Sequence, residues 1–259
     1  MSEAVLEIEN AARRYPLPRA GLLAPRRELR AVDGVSLKVD RGEVLGVVGE
    51  SGSGKSTLAR LAMAFERPDA GTVRFRGEDL AAVPQARLRE LRRGFQMVFQ
   101  DPFGSLDPRR TVGWSVGEPL LADRPLTAAE RERRVRRAFD RVGLPAAGLE
   151  RYPHQFSGGQ RQRVAIARAI VTEPALIVAD EPVASLDVSV QAQILNLFMD
   201  LQEEFGLAML FISHDLAVVA NLCDRIAVMR EGRIVETAAT RSIINAPKDG
   251  YTRSLFAAA

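Results

Sequence analysis

Short apolar runs alternate with helical sequence along much of the chain, and this order predicts an α/β fold. Runs typical of strands occupy residues 32–39, 43–48, 72–75, 176–179, 208–212 and 225–228. After residue 168 the strands alternate with helices such as 190–204, which is the order of a largely parallel sheet. From about residue 88 to 168 the sequence is instead helical, rich in arginine and interrupted by prolines. We therefore predict one domain over residues 1–259, with a helical subdomain at about 88–168 inserted in its core.

One highly charged stretch, residues 128–142, could be mistaken for a basic binding helix. Glu130 and Glu132 are interspersed among its arginines, however. An apolar stripe at helical spacing consists of Val135, Ala138, Phe139 and Val142. This pattern favours a solvated amphipathic helix that packs one face on the core.

Composition limits the class of protein without selecting one. The chain has 259 residues, of which 46% are hydrophobic and 27% charged, enough apolar content for a large core. Its formal net charge of +3 is a mild excess for this length, so we expect no nucleic-acid partner. Residues 1–9 alternate like a strand, unlike a signal peptide, and apolar runs such as 175–179 are too short to span a bilayer. A single cysteine, Cys223, agrees with a reducing compartment, and we expect a cytosolic chain.

A glycine-rich loop between a predicted strand and a predicted helix is the first candidate for chemistry. Gly49, Gly54, Lys55 and Ser56 fit the pattern G-x-x-x-x-G-K-[ST]. In such a loop the glycines let successive N–H groups point at phosphate oxygens, the lysine brings charge to the outer phosphates and the serine hydroxyl reaches magnesium. The helical spacing at 58–65 places a helix N-terminus against the phosphates. The loop therefore predicts a nucleotide site, against the alternative of a glycine-rich surface turn.

The second candidate is an apolar strand that ends in two carboxylates, at residues 176–181. Ligands of α/β proteins lie at the carboxyl ends of parallel strands. Asp180 would hold a metal ion or its water, and Glu181 would orient or deprotonate an attacking water. In isolation, an ordinary strand end before a turn at Pro182 would be the better interpretation. The phosphate loop upstream favours the catalytic one.

The third candidate is the sequence Phe156-Ser-Gly-Gly-Gln160, which leads into a predicted helix at 161–170. The apolar positions available for one face of that helix are Val164, Ala167 and Ile170. Ser157 can cap the helix, the glycines permit close approach by a ligand, and the exposed N–H groups form an anion site. Taken alone, this is an ordinary helix N-terminus.

Together these motifs resemble the nucleotide-binding subunits of ABC transporters. The Walker A, Q-loop, signature, Walker B, D-loop and H-loop motifs of that family correspond to residues 49–57, Gln100, 157–160, 176–181, 185–187 and His214. The signature has Phe156 where the family commonly has leucine, which is an apolar exchange. The resemblance implies an α/β fold with an ABC-type P-loop NTPase core and a mostly parallel sheet. It also implies an N-terminal antiparallel β lobe and an inserted helical subdomain.

The resemblance also implies a role for each matched residue. Tyr15 would stack on adenine, Glu181 would be the catalytic base, and His214 would contact the γ-phosphate and hold Glu181 and the water in line. The metal ligands would be Ser56, Gln100 and Asp180. The ATP contacts would include Ser56 and Gln100 together with Gly49, Glu50, Ser51, Gly52, Ser53, Gly54, Lys55, Thr57, Ser157, Gly158, Gly159, Gln160 and Asp187.

Two subunits of this family meet head to tail, so that the signature of one closes over the ATP held by the other. Shifting such a pair from about 1:99 closed to 99:1 requires roughly 5.5 kcal/mol of differential binding, shared by two nucleotides. Charge-assisted hydrogen bonds from Ser157 and the glycine N–H groups could supply it. The implied cofactors are ATP and Mg2+. The implied partners are a second ATPase subunit, identical or different, two transmembrane permeases and, indirectly, a solute-binding protein.

A narrower resemblance, to the dipeptide, oligopeptide and nickel importer branch, rests on residues 15–16, 21–23, 30–36, 99–109 and 250–255. The segment after Gln100 would face the coupling helices of the permeases. The sequence ends soon after Tyr251 without the cysteine-rich segment of many branch members, so no iron–sulfur centre is expected.

We therefore predict an ATPase that energises an importer of peptides or related small solutes, at the inner face of the cell membrane. One alternative is a soluble ABC ATPase of an enzyme complex, such as a phosphonate-cleavage system. Another is a nucleic-acid-associated ATPase, which a long coiled coil or a second cassette would have favoured. Neither feature is present in the sequence.

Overall fold

The computed structural model of the chain describes residues 3–17, 27–122 and 126–257. The chain divides into two compact units, unit 1 with Met1–Val83 and Leu210–Ala259, and unit 2 with Pro84–Met209. The segment 21–23, which contributed to the branch resemblance, lies outside the described residues. Within the described ranges, no helix combines the length and the apolar character needed to cross a membrane.

Unit 1 is rich in strands. Its strands are β1 (Ala4–Pro16), β2 (Glu28–Asp40), β3 (Val44–Val48), β4 (Ala70–Phe75), β5 (Glu78–Asp79), β8 (Ala208–Ile212, from Leu210 onward), β9 (Arg225–Arg230) and β10 (Arg233–Ala239). Its helices are α1 (Lys55–Ala62), α8 (Leu216–Leu222), α9 (Thr240–Asn245) and α10 (Gly250–Ala257).

Unit 2 is mainly helical. Its helices are α2 (Gln85–Leu91), α3 (Pro102–Ser105), α4 (Val112–Gly117), α5 (Ala128–Arg141), α6 (Gly158–Ile170) and α7 (Val188–Phe205). Its strands are β6 (Phe95–Val98) and β7 (Leu176–Asp180). Short 3-10 turns occupy Glu118–Ala122, Ala146–Glu150 and Pro153–Gln155.

The predicted N-terminal antiparallel lobe is confirmed as a sheet in unit 1. Its strand order is β2-β1-β4-β5, and every described pairing in it is antiparallel. Leu6 and Ile8 point into the core and lie opposite Phe75 and Val73. Their neighbour Glu7 lies on the other face, as the period of two along a strand requires.

A second sheet carries the phosphate loop. Within unit 1 its strand order is β10-β9-β3-β8, with β3 and β9 parallel and β9 and β10 antiparallel. Every residue of β3 is buried, which explains its continuous apolar sequence. Helix α8 packs closely on β3 because Gly46 has no side chain. A Cβ there would lie 2.4 Å from Cγ1 of Val219 and 2.8 Å from Sγ of Cys223.

Helix α6 is the centre of unit 2. It contacts α3, α4, α5, α7 and β6, so it is buried nearly all round. The prediction of one apolar face was therefore too narrow, because Ala165, Ile166 and Ala169 are buried as well as the predicted positions. The range predicted as helical also contains a strand, β6, which pairs in parallel with β7.

Two helices test the helical spacing of apolar residues that the sequence showed. In α5 the apolar stripe is buried, and the arginines pair with Glu130 and Glu132 on the exposed side, which confirms the amphipathic interpretation. The helix after the phosphate loop ends at Ala62, before the predicted limit at Phe65. Ala64 takes a positive φ of 49°, which a helix cannot continue through.

Candidate nucleotide-binding and catalytic site

The phosphate loop joins β3 to the first residue of α1 in unit 1. Nζ of Lys55 donates hydrogen bonds to the carbonyl oxygens of Gly49 (2.7 Å) and Glu50 (2.9 Å), and the lysine is only 5% exposed. A buried ammonium group needs oxygen partners, and these carbonyls supply them. The loop therefore curls around its own lysine at a helix N-terminus, which is the geometry of an anion site.

The shape of the loop requires glycine at two of the predicted positions. Gly54 has a φ of 108°, and a Cβ there would lie 2.0 Å from the carbonyl oxygen of Ala31 in β2. At Gly49 a Cβ would lie 2.1 Å from the carbonyl oxygen of Met229 in β9. Both obstacles are backbone atoms that cannot rotate away. The spacing of the glycines in the motif therefore follows from how the loop packs between two strands.

Ser53 closes the turn inside the loop. Its N–H donates to the carbonyl of Glu50 (3.2 Å), and its own carbonyl accepts the N–H of Gly232 (2.9 Å). Its hydroxyl oxygen is buried and, within the described part of the chain, has no hydrogen-bond partner. A buried hydroxyl without a partner costs free energy, and a phosphate oxygen would satisfy it. Of the other predicted contacts, Thr57 is buried, and the exposed ones are Ser51, Gly52 and Ser56.

Tyr15, the predicted adenine contact, lies in β1 and is hydrogen-bonded to an acidic residue. Its hydroxyl donates to the Glu66 carboxylate (2.6 Å), and the guanidinium of Arg13 lies 5.1 Å from its ring centroid. Arg13 also pairs with Glu66 (2.8 Å) and Asp69 (2.9 Å). Burial by itself raises the pKa of Glu66, but hydrogen bonds from Tyr15 and Arg13 lower that pKa overall. Arg13 therefore covers one face of the Tyr15 ring.

His214 lies two residues after the end of β8 and is exposed. The residues on either side of it are held in place. The N–H of Ser213 donates to the carbonyl of Val47 in β3 (3.2 Å), and the carboxylate of Asp215 accepts the N–H groups of Ala217 and Val218 at the start of α8. The backbone on either side of the histidine is therefore anchored to the strand before the phosphate loop and to the start of α8.

In unit 2 the predicted carboxylates stand at the end of a buried strand. Residues 176–179 of β7 are fully buried, whereas Asp180 and Glu181 are half-buried. Glu181 has a positive φ of 49°, a conformation that costs a non-glycine residue of order 1 kcal/mol. Since β6 and β7 run parallel, with Val98 opposite Ala179, Gln100 follows its strand at the same sheet edge as the two carboxylates.

Ser157 caps α6, as predicted. Its hydroxyl accepts the N–H of Gln160 (3.4 Å), and the side-chain oxygen of Gln160 accepts the N–H of Ser157 (3.0 Å), which completes a capping box. The amide oxygen of Gln160 therefore has a local structural partner. Phe156 is 5% exposed with the guanidinium of Arg151 4.7 Å from its ring centroid, so the exchange for leucine keeps a buried apolar anchor.

Asp187 caps the following helix of unit 2. Its carboxylate accepts the N–H of Val190 (3.0 Å) and the hydroxyl of Ser189 (2.8 Å). These hydrogen bonds, led by the one from the Val190 backbone, lower the pKa of Asp187. The side-chain amide of Gln191 donates to the carbonyls of Val183 (3.1 Å) and Leu186 (3.0 Å), which fixes the preceding turn.

The two motifs of unit 2 pack on each other. A Cβ at Gly159 would lie 2.4 Å from Cγ1 of Val190, and a Cβ at Gly158 would lie 3.7 Å from Cδ2 of Leu186. Gly159 therefore has a packing reason to be glycine that the sequence did not reveal. Gly158 has room for a methyl group.

The predicted residues are divided between the units. Unit 1 holds Tyr15, residues 49–57 and His214, and unit 2 holds Gln100, residues 157–160, Asp180, Glu181 and Asp187. Sequence reasoning missed the residues that support the loop and the tyrosine, namely Glu66, Gly232 and Tyr251. The hydroxyl of Tyr251 accepts the N–H of Glu50 (3.2 Å). Its segment, 250–255, was recognised only as part of the branch resemblance.

Comparison with curated proteins gives relatives that align over nearly all of the chain. This chain is 45% identical over 258 residues to the dipeptide transport ATP-binding protein DppF of Escherichia coli (strain K12), and the alignment covers 100% of this chain and 77% of that relative. It is 47% identical over 258 residues to the glutathione import ATP-binding protein GsiA of Pectobacterium atrosepticum, covering 99% of this chain and 41% of that relative. These relatives confirm the predicted resemblance to the peptide-importer branch.

Solved structures and a family profile agree. The chain is 28% identical to the dimeric ATP-binding cassette MJ0796 in a post-hydrolysis state with ADP and Pi, with a TM-score of 0.80 over 91% of this chain and 99% of that one. The chain is also 28% identical to cbiO1 from Clostridium perfringens, described as part of the ABC transporter complex cbiONQ. The TM-score of this match is 0.81, over 94% of this chain and 92% of that one. Both confirm the predicted fold class. A profile described as ABC transporter matches residues 32–184. The chain therefore belongs to the ABC transporter family, as an ATP-binding subunit that hydrolyses ATP.

Proposed function

We propose that this chain couples ATP hydrolysis at residues 49–57 and Glu181 to the import of peptides or related small solutes. The observation that carries the proposal is the phosphate loop, in which buried Lys55 already lies among backbone carbonyls at the start of a helix. The relatives named for dipeptide transport and glutathione import support the peptide cargo. We propose a single nucleotide-binding domain with the helical subdomain inserted in it.

In this proposal the loop holds the phosphates, and Tyr15 stacks on adenine. Glu181 orients and deprotonates the attacking water, and His214 keeps the water in line with the γ-phosphate. The position of Glu181, half-buried and immediately after the carboxyl end of β7, supports its role, because ligands of α/β proteins lie at that edge of the sheet. The signature at 157–160 and Asp187 would contact the ATP of a partner subunit.

The predicted Mg2+ ligands have suitable chemistry. Mg2+ prefers oxygen ligands and is usually held by one or two carboxylates together with substrate phosphates and waters. Ser56, Gln100 and Asp180 offer a hydroxyl, an amide and a carboxylate oxygen, so this donor set fits the ion. When bound, the ion would neutralise charge on the phosphates.

The proposed assembly is a head-to-tail pair of ATPase subunits, identical or different, attached to two transmembrane permeases and served by a solute-binding protein. The permeases would hold the chain at the cytoplasmic face of the cell membrane. The dimeric state of the MJ0796 cassette supports the pairing. An ATPase of a soluble enzyme complex is not favoured, because the similar curated proteins are named for dipeptide transport, glutathione import or peptide import.

Substitution of Glu181 tests the chemistry. Glu181→Gln should bind ATP normally and lose turnover by about 100-fold or more, the range expected for a general base. Glu173→Gln is a matched control, because Glu173 is also a glutamate with a positive φ (51°), but it lies at the surface near Arg137 and Arg141. If Glu181→Gln hydrolyses ATP as fast as Glu173→Gln, the assignment of the base is wrong.

The assembly has its own test. Tagged Glu181→Gln protein is trapped with ATP in its native cells, solubilised gently and analysed by mass spectrometry. We expect two polytopic permeases and a second ATPase subunit to be recovered. Recovery of soluble enzymes alone would contradict the importer. Uptake of a labelled dipeptide should also be lost when Glu181→Gln replaces the wild-type chain.

A further inference from the structure

The last helix, α10, reaches back to the start of the phosphate loop. The Tyr251 hydroxyl accepts the N–H of Glu50 at 3.2 Å, across 201 positions of sequence. That N–H belongs to the peptide unit between Gly49 and Glu50. The carbonyl oxygen of the same peptide unit, on Gly49, accepts a hydrogen bond from Nζ of Lys55. One peptide plane is therefore held at its N–H end by the tyrosine and at its oxygen end by the lysine.

The tyrosine is itself positioned by the hairpin of β9 and β10. The guanidinium of Arg230, the last residue of β9, lies 4.8 Å from the Tyr251 ring centroid, in cation–π geometry. The carboxylate of Glu236, in β10, accepts the N–H groups of Lys248 (2.9 Å) and Asp249 (3.0 Å) just before α10. The ring and the chain that carries it are thus anchored separately.

The start of α10 is also capped. The carboxylate of Asp249 accepts the N–H groups of Tyr251 (2.8 Å) and Thr252 (3.2 Å), and Thr252 is fully buried. Together with the two anchors on the hairpin, this cap restricts where the hydroxyl of Tyr251 can lie. A side chain held in this way loses little freedom when it forms its hydrogen bond, so the bond can restrain the loop effectively.

The hydrogen bond between Tyr251 and Glu50 lies at the edge of a cleft. A cleft of about 210 Å3, lined by residues 50–53, Arg230, Glu231 and Tyr251, lies next to it. Replacing tyrosine by phenylalanine therefore removes the hydrogen bond while the ring can stay over Arg230. Such a substitution separates the effect of the hydroxyl from the effect of packing.

We propose that Tyr251 is a positioning residue for ATP binding: its hydroxyl holds the Gly49–Glu50 peptide in the orientation that keeps the Gly49 carbonyl on Lys55. The inference rests on the proposed assignment of ATP phosphates to this loop. Without the hydroxyl the peptide can rotate, and the loop must be ordered when nucleotide binds. Preorganisation is then lost, and affinity falls.

The test measures ATP dissociation constants by calorimetry on the full chain, in a Glu181→Gln background that prevents turnover. Tyr251→Phe should weaken ATP binding by about 2- to 10-fold, the equivalent of one neutral hydrogen bond. Ser254→Ala is the matched control, since it removes a hydroxyl of the same helix that donates a hydrogen bond to the Gly250 carbonyl (3.1 Å), away from the phosphate loop. This control should bind ATP like the parent.

A second measurement distinguishes positioning from a general loss of stability. Amide hydrogen exchange should be faster at Glu50 in Tyr251→Phe than in Ser254→Ala, while both variants unfold within about 4 °C of the parent temperature without nucleotide, the shift expected for one hydrogen bond. Unchanged affinity and unchanged exchange at Glu50 in Tyr251→Phe would overturn the positioning role.

Lys55→Ala keeps this inference separate from the proposed function. If Lys55→Ala abolishes ATP binding while Tyr251→Phe binds like the parent, only the role of Tyr251 is refuted. If Lys55→Ala binds ATP as tightly as the parent, the assignment of the phosphate loop fails, and the inference about Tyr251 fails with it.

Discussion

Replacement of Ser157 by alanine separates two roles that the same hydroxyl could have. In the structure it caps α6 by accepting the N–H of Gln160. In the proposed dimer it would instead donate to the phosphates of a partner's ATP. Thr127→Ala is the matched control, because Thr127 caps α5 by accepting the N–H of Glu130 in the same way, outside the candidate site.

The two roles predict effects of different size. The cap hydrogen bond of Ser157 is long, 3.4 Å, and exposed, so its loss should lower the free energy of unfolding by about 0.5 kcal/mol, the low end for an N-cap. The Thr127 cap, at 3.2 Å, should cost a similar amount. A hydrogen bond to a charged phosphate contributes about 1.5–3 kcal/mol, so losing it should slow ATP turnover by about 10- to 150-fold.

Urea unfolding of each purified variant gives the stability, and phosphate release at saturating ATP by the chain co-purified with its partner subunits gives the turnover. We expect both variants to lose similar stability and only Ser157→Ala to lose turnover. Equal turnover in Ser157→Ala and Thr127→Ala would show that Ser157 is a helix cap and nothing more.

Three further predictions concern packing, burial and pH. Gly159→Ala should lower the free energy of unfolding by about 1–3 kcal/mol, because the new Cβ would lie 2.4 Å from Val190. Gly158→Ala should change the free energy of unfolding by less than about 0.5 kcal/mol. Denaturant titration of the two variants measures the difference. Burial raises the pKa of the Cys223 thiol far above its ordinary range. A thiol reagent at pH about 8 should therefore modify Cys223 only after the protein is unfolded, and mass spectrometry of the folded and unfolded protein measures this. The pKa of Glu66 is lower in the folded state than in the unfolded state. The extra free energy of unfolding that wild type has over Glu66→Gln should therefore be complete above pH about 5 and decline as the pH falls below about 4.3. Urea unfolding of both proteins at each pH measures this difference.

The sequence predicted the parts of the fold whose signal is local. The buried strands β3 and β8 appear as unbroken apolar runs, and the stripe in α5 appears at helical spacing. By contrast, β10 has mixed polar and apolar residues and lies at the edge of its sheet, so its pairing with β9 leaves little trace in composition. The strand β6 was hidden for another reason: it is short, and it follows an arginine-rich helix.

The motifs located the candidate site residues, but the contacts that hold them come from distant positions. The carbonyl of Ser53 accepts a hydrogen bond from the N–H of Gly232, and the N–H of Glu50 donates one to the hydroxyl of Tyr251. Such pairs have no fixed spacing, so neither periodicity nor a local pattern can find them. They depend on which strands are neighbours, and the structure supplies that information.

Gly159 shows why a motif residue is not automatically a ligand contact. The resemblance assigns it to ATP, yet the space where its side chain would be is filled by Val190, three residues beyond the cap at Asp187. The carboxylate of Asp187 accepts the N–H of Val190, so the valine that packs on the signature loop is held by the cap of α7. The glycine is therefore required to couple two motifs of the same chain, whether or not a nucleotide ever touches it.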